Sequence, residues 1–169
     1  MSQNPETKLW SALRDGTMAM DVHWTRVEAW SLPGVPDVNG CLDGIDFWVE
    51  LKVLTTKSDK KFPKWRPHQI AWQTSRTSVG GCVWNLVHHL SSNRLYFLSG
   101  LNLAKRLMDG DEGNYDGWID MPTDYDGWRK VLGQLTSREV RLDFQPRWSH
   151  KTSGSRWAVR SSFLFIMTI

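Results

Sequence analysis

The sequence predicts an α/β domain, with a central mixed β-sheet flanked by helices. Three observations lead there. Residues Asp46 to Val53 alternate polar and apolar side chains with a period of two, as a half-buried strand does. Asp43-Gly44, just before them, is the turn chemistry of a two-residue β-hairpin. Helices are signalled on both sides of that hairpin: a segment at 6–15 closed by Gly16, and one opening at Pro67 and stopped by Gly80-Gly81.

The elements follow in order. Residues 6–15 carry Leu9, Trp10 and Leu13 at helical spacing. His23 to Trp30 stays open between two states: Trp24, Val27 and Trp30 fit a helical turn, while the β-branched content fits a strand. The run LPGVPDVNG (32–40) is a turn-rich entry into a strand that returns through Asp43-Gly44. A basic loop covers 55–66. Pro67 suits the first position of a helix reaching about Ser78, because its missing N–H and fixed φ cost nothing there. Cys82–Leu90 and Arg94–Leu98 read as strands, Leu101–Met108 and Trp128–Leu135 as helices, and Glu139–Phe144 as a strand. From Trp148 a Ser- and Arg-rich tail leads to an apolar end, Phe163–Ile169, to which the sequence assigns no element. Asp116-Gly117-Trp118 is echoed by Asp126-Gly127-Trp128, but two copies of a tripeptide are not a repeat architecture.

Composition narrows the function classes. The 169 residues suit one domain, read as a single unit over 1–169. A net charge of +3 and a pI near 9.0 permit a nucleic-acid partner without demanding one. Charge is unevenly placed. Lys57, Lys60, Lys61, Lys64 and Arg66 fall within ten residues, interleaved with Phe62 and Trp65. Between Met108 and Trp128 stand Asp109, Asp111, Glu112, Asp116, Asp120, Asp124 and Asp126 and no Lys or Arg, with a solvated loop as the default reading. The 11 tryptophans are mostly core or interface anchors, since indole buries a large area. Cys41 and Cys82 are too few for a disulfide scaffold or a cysteine zinc site and read as small buried thiols. The start has no apolar signal region, and no apolar run nears the roughly 18 residues of a membrane helix. The expectation is a cytoplasmic protein without a membrane partner.

The chemistry concentrates on the hairpin. With a two-residue turn at Asp43-Gly44, Val38 faces Val49 and Asp37 faces Glu50. The Cβ atoms of such a pair lie about 5 Å apart, and like charges so placed destabilise a sheet. A divalent cation is the natural offset. Lys52, two residues on, projects from the same face as Glu50. A hard ion such as Mg²⁺ takes oxygen ligands and often uses one or two carboxylates, leaving room for water and substrate phosphate. Such an ion lowers the pKa of bound water and polarises a phosphoryl oxygen, while a lysine beside it can hold or deprotonate the attacking water. A bulge at Gly40 would shift this register by one residue. Asp46 shares the face of Glu50 but lies about 13 Å along the strand, too far for the same ion. His88 and His89 have no ligand spacing around them and read as loop or edge positions.

Gly34-Val35-Pro36-Asp37, followed by Glu50-Leu51-Lys52, resembles the signature of the PD-(D/E)XK nuclease superfamily, and most closely its VRR-NUC type. Small phage-encoded nucleases and archaeal-type Holliday-junction resolvases share that core. The resemblance covers roughly residues 20–100, leaving about 101–169 as a C-terminal extension. It implies a restriction-endonuclease-like core. It implies Asp37, Glu50 and the backbone carbonyl of Leu51 as metal ligands and Lys52 as the catalytic lysine. Glu28 would be an auxiliary acid, and Gln69 would place water or phosphate from its helix. The cofactor implied is Mg²⁺, with Mn²⁺ as a substitute, and no organic cofactor is called for.

The expected partner is DNA, gripped by Lys57, Lys60, Lys61, Lys64 and Arg66 through its phosphates, and the expected reaction is phosphodiester hydrolysis. Branched DNA, such as a Holliday junction, is one substrate that the resolvase resemblance implies, with a nick, a flap or plain duplex left open beside it. The tryptophan content and apolar C-terminus permit a homodimer. The rival reading is a nuclease fold kept for DNA binding or protein interaction, against which the intact Asp37, Glu50 and Lys52 set argues.

Overall fold

A computed structural model describes residues 4–27, 33–55, 62–111 and 113–137. The elements are α1 (Pro5–Gly16), β1 (His23–Arg26), β2 (Val38–Leu42), β3 (Ile45–Leu54), α2 (Pro67–Ser78), β4 (Cys82–His89), β5 (Arg94–Ser99), α3 (Gly100–Met108), β6 (Gly117–Asp120) and α4 (Tyr125–Leu135). The six strands form one sheet in sequence order. β3 and β4 run parallel, with α2 as the crossover between them, and every other neighbouring pair is antiparallel. This is the mixed sheet flanked by helices that the sequence predicts.

The hairpin forms for the reason its sequence gives. Asp43 and Gly44 both take positive φ, 51° and 72°, as a turn matched to the strand twist requires. The register follows, with Val38 opposite Val49 and Gly40 opposite Phe47. Gly40 therefore carries no bulge. A Cβ there would lie 2.5 Å from the Phe47 ring and 2.8 Å from that of Trp24. Glycine lets those rings close over β2, with centroids 5.5 Å apart and edge to face. The ambiguous 23–30 stretch resolves as a strand over His23–Arg26, paired with β2.

Two apolar layers hold the sheet. On one face Leu9 and Leu13 of α1 and Val131, Leu132 and Leu135 of α4 pack on Phe47, Val49, Leu51 and Leu86. On the other, Leu103 of α3 joins Trp65, Val87 and Leu98, with Ile70 of α2 against them. Among the described residues no helix is long and apolar enough to cross a membrane.

The acidic segment is not the solvated loop expected from its charge. Asp116 accepts hydrogen bonds from the Ser99 backbone N–H (2.7 Å), Asn102 Nδ2 (2.9 Å) and Arg106 Nη2 (2.8 Å). Asp124 caps α4 by accepting from the Gly127 N–H at 2.8 Å. Between them, β6 adds an edge strand that the sequence did not signal. His89 also departs from the expected loop or edge position. It is buried in central strand β4, with Nδ1 2.9 Å from Ser92 Oγ. The strand expected at 139–144 and the tail beyond it lie outside the described residues.

Candidate active site

The cleft begins where β2 runs out. The register of the hairpin continued beyond Val38 would place Pro36 opposite Leu51, and proline has no N–H to give the ladder. The strand stops, and Asp37 sits just outside it. Its carbonyl accepts from the Val27 N–H at 2.8 Å. Its carboxylate takes the edge position left open, accepting from the Leu51 N–H at 2.7 Å. The direct ladder pair of Asp37 with Glu50 expected from sequence is thus replaced by this side-chain bond. N–H and C=O of one strand residue point to the same edge, so the Leu51 carbonyl also faces the Asp37 side.

Gly34 explains the turn that delivers Asp37. Its φ is 93°, and a Cβ there would lie 2.3 Å from the His68 carbonyl oxygen. The turn is thereby pressed against the first turn of α2, which carries Gln69. Any side chain at position 34 would hold the two apart.

Glu50 is the centre of the site. The sequence places it on the polar face of β3, but α2 covers that face and leaves the residue only 1% exposed. Its Oε1 accepts from Lys52 Nζ at 2.6 Å and from Gln69 Nε2 at 2.5 Å. Burial, and then the charge of Asp37, push its carboxyl up to about 7, against the pull of Lys52. Gln69 is itself oriented by its Oε1, which accepts the Arg66 N–H at 3.0 Å.

Glu6, in the first turn of α1, is a site residue that the sequence reading missed. It looks like an ordinary acid at a helix N-terminus. Burial raises its carboxyl, and it feels Lys52, Asp37 and Arg66. Glu6, Asp37, Glu50, Lys52, Lys64, Arg66 and Gln69 line one open cleft of about 470 Å³. A second cavity of about 350 Å³, at the far end of α2 around Gly80, Cys82 and Ser99, gathers no comparable charges. Glu28, Lys57, Lys60 and Lys61 lie outside the described residues. Asp46 is exposed and directed elsewhere, toward Asn39 (2.8 Å) and Arg76 (3.6 Å).

The donor set suits a hard cation. Two carboxylates repel one another, one of them desolvated, and a carbonyl shares their edge. A divalent ion there would reverse the electrostatics that now hold Glu50 near neutrality. Among the described residues no three His, Cys, Asp or Glu side chains converge to hold an ion alone. Water or phosphate oxygens would have to complete the shell, as Mg²⁺ sites commonly allow.

The chain is similar to a solved VRR_NUC domain, at 17% identity and a TM-score of 0.41, over 63% of this chain and 97% of that one. It is also similar to Hjc, a Holliday junction resolvase of the archaeal hyperthermophile Archaeoglobus fulgidus. There the identity is 18% and the TM-score 0.45, over 77% of this chain and 97% of that one. No protein-family model matches the chain, and no curated protein matches it.

Proposed function

We propose that this chain is a metal-dependent endonuclease that hydrolyses DNA phosphodiester bonds. One observation carries the reading: a buried carboxyl, Glu50, raised to about 7 beside a second carboxylate and 2.6 Å from a lysine, in a cleft rimmed by cations. Asp37, Glu50 and the Leu51 carbonyl would hold Mg²⁺, or Mn²⁺ in its place. A bound ion of this kind supplies a lowered pKa for water and charge neutralisation at a phosphoryl oxygen. The chain's own residues do the rest. Lys52 Nζ, 2.6 Å from Glu50 Oε1, would hold the attacking water or stabilise charge at phosphorus. Gln69, fixed at the Arg66 backbone, orients that water or the phosphate. Glu6, with Glu28 as the acid expected from sequence, adds negative charge that strengthens cation binding. Lys64 and Arg66, with Lys57, Lys60 and Lys61, contact the flanking phosphates.

Branched DNA is the substrate proposed, from the likeness of the sequence motif to resolvases, and a homodimer is the form that would cut two strands. The test is cleavage of labelled linear and four-way DNA with Mg²⁺, for the parent chain and Lys52→Ala. The expected result is cleavage by the parent and at least a hundredfold loss in the variant with DNA binding retained, the scale of a missing acid–base group. A folded parent that binds Mg²⁺ and DNA but cleaves nothing would replace the reading with a DNA-binding module.

A further inference from the structure

Beneath the cleft lies a polar network that the proposed reaction does not use. Asn85 is the partner of Glu50 in the parallel β3–β4 register and is fully buried. Its Oδ1 accepts from Trp65 Nε1 at 2.7 Å and from Gln73 Nε2 at 2.9 Å. Its Nδ2 donates to Gln73 Oε1 at 2.9 Å and to the Leu98 carbonyl at 3.1 Å. Two bonds accepted and two donated use the full capacity of the amide. Gln73 is also fully buried, and Trp65 is 9% exposed.

We infer that Asn85, Gln73 and Trp65 are positioning residues that set both walls of the cleft over Glu50. The catalytic part of this inference rests on the nuclease reading above; the structural part rests on the packing alone. Gln73 lies four residues after Gln69 and so on the same face of α2, one turn further along. Trp65 stands between Lys64 and Arg66, which line the cleft. One amide therefore ties the helix that carries Gln69 and the segment that carries the two cations to the strand next to Glu50. Apolar side chains of the same volume would fill this space without the desolvation of three polar groups. They would also tolerate sliding. A reciprocal amide pair does not, because a shift of about 1 Å takes a 2.9 Å bond beyond hydrogen-bond range. The helix moves as a unit, so fixing Gln73 fixes the 2.5 Å contact of Gln69 with Glu50.

The test pairs Asn85→Leu with Gln73→Met, so that neither amide of the reciprocal pair is left facing an apolar partner. Trp65→Phe, which removes one donor together with part of the buried ring, is the milder second variant. Two readouts are taken well below each protein's melting temperature. One is amide hydrogen exchange in peptides spanning 62–73, measured without metal or DNA. The other is the cleavage rate at saturating four-way DNA with Mg²⁺, alongside KM. The expected result is exchange in 62–73 at least tenfold faster, with the β3–β4 peptides unchanged. The cleavage rate should fall at least tenfold, with KM within twofold of the parent. Unchanged exchange in either folded variant overturns the inference. Faster exchange with an unchanged cleavage rate overturns it too, leaving a network that only stabilises the fold. A parent chain that cleaves nothing refutes the nuclease reading instead, and the exchange data then decide the positioning claim on their own.

Discussion

Replacing Glu50 by glutamine should stabilise the metal-free protein while removing the proposed cation site. The carboxyl is raised from its ordinary 4.5 to about 7 in the folded chain. Folding therefore retains a proton that the unfolded chain gives up between those two values. The stability this group contributes is fully present below about pH 4.5 and is lost as pH rises through 7. At about 1.4 kcal/mol per pH unit, the loss above pH 7 is at most roughly 3 kcal/mol. Glutamine carries no such loss. Lys52 and Gln69 both donate to Oε1, so the amide oxygen can keep both bonds while its NH₂ occupies the Oε2 position. At pH 8 in EDTA, Glu50→Gln should melt above the parent by up to roughly 5–10 °C, from about 2–4 °C per kcal/mol at this size. Near pH 4.5 the gap should close. Glu6 is present in both proteins, and its charge is the smallest of the pushes on Glu50. Adding Mg²⁺ should raise the melting temperature of the parent by mass action and leave that of the variant in place. A variant less stable than the parent at pH 8, or a gap that does not change with pH, would refute the assignment of Glu50 as a desolvated, repelled carboxyl.

Two other perturbations probe the walls of the cleft. Gly34→Ala combines positive φ with a Cβ 2.3 Å from the His68 carbonyl oxygen, a backbone atom that cannot swing away. It should cost about 2–4 kcal/mol in denaturant titrations from left-handed strain and overpacking, and the surviving folded fraction should cleave more slowly because Asp37 and Gln69 are forced apart. Lys64→Ala and Arg66→Ala should each weaken DNA binding across sequences and reduce the salt slope of log Kd by about one. A slope that does not move in fluorescence anisotropy takes that residue off the phosphate backbone.

The fold was legible wherever local chemistry and tertiary packing agree. Asp43-Gly44 determines its own turn, and the turn determines the register, so β2 and β3 follow from the hairpin's own residues. Pro67 and Gly80-Gly81 bound α2 as they would in any context. β6 was not legible, because glycine and aspartate are poor strand formers and occupy its two ends. What orders it is distant in sequence: pairing with β5, Arg106 on Asp116, and Arg94 lying 4.0 Å over the Trp118 ring. The four residues of β1 stayed open for the same reason in milder form. Their pattern fits two states, and β2 selects one. Gly40 left two readings open. A glycine in a strand signals either a bulge or a close approach, and only the positions of Trp24 and Phe47 tell which.

The site divides along the same line. Asp37, Glu50 and Lys52 lie on one hairpin, and a local register suffices to bring them together. Their electrostatic state does not follow from that register. A polar strand face reads as solvated, but α2 lies over Glu50, and that burial, with the charge of Asp37, raises its carboxyl. The helix answers the polar face with amides, Gln69 on Glu50 and Gln73 on Asn85. A helix meant to cover an apolar face would carry leucines there. The glutamines of α2 are thus the sequence-level trace of a polar face beneath, a trace readable only once the helix is known to lie on β3 and β4. Glu6 left no trace at all. It comes from a helix that packs its Leu9 and Leu13 against the opposite face of the sheet, and it reaches the cleft only because the N-terminus of α1 ends beside Asp37. Nothing in the spacing between Glu6 and Asp37 encodes that meeting. The packing angle of α1 does, which is set by apolar contacts remote from the chemistry, and the acid arrives as their consequence.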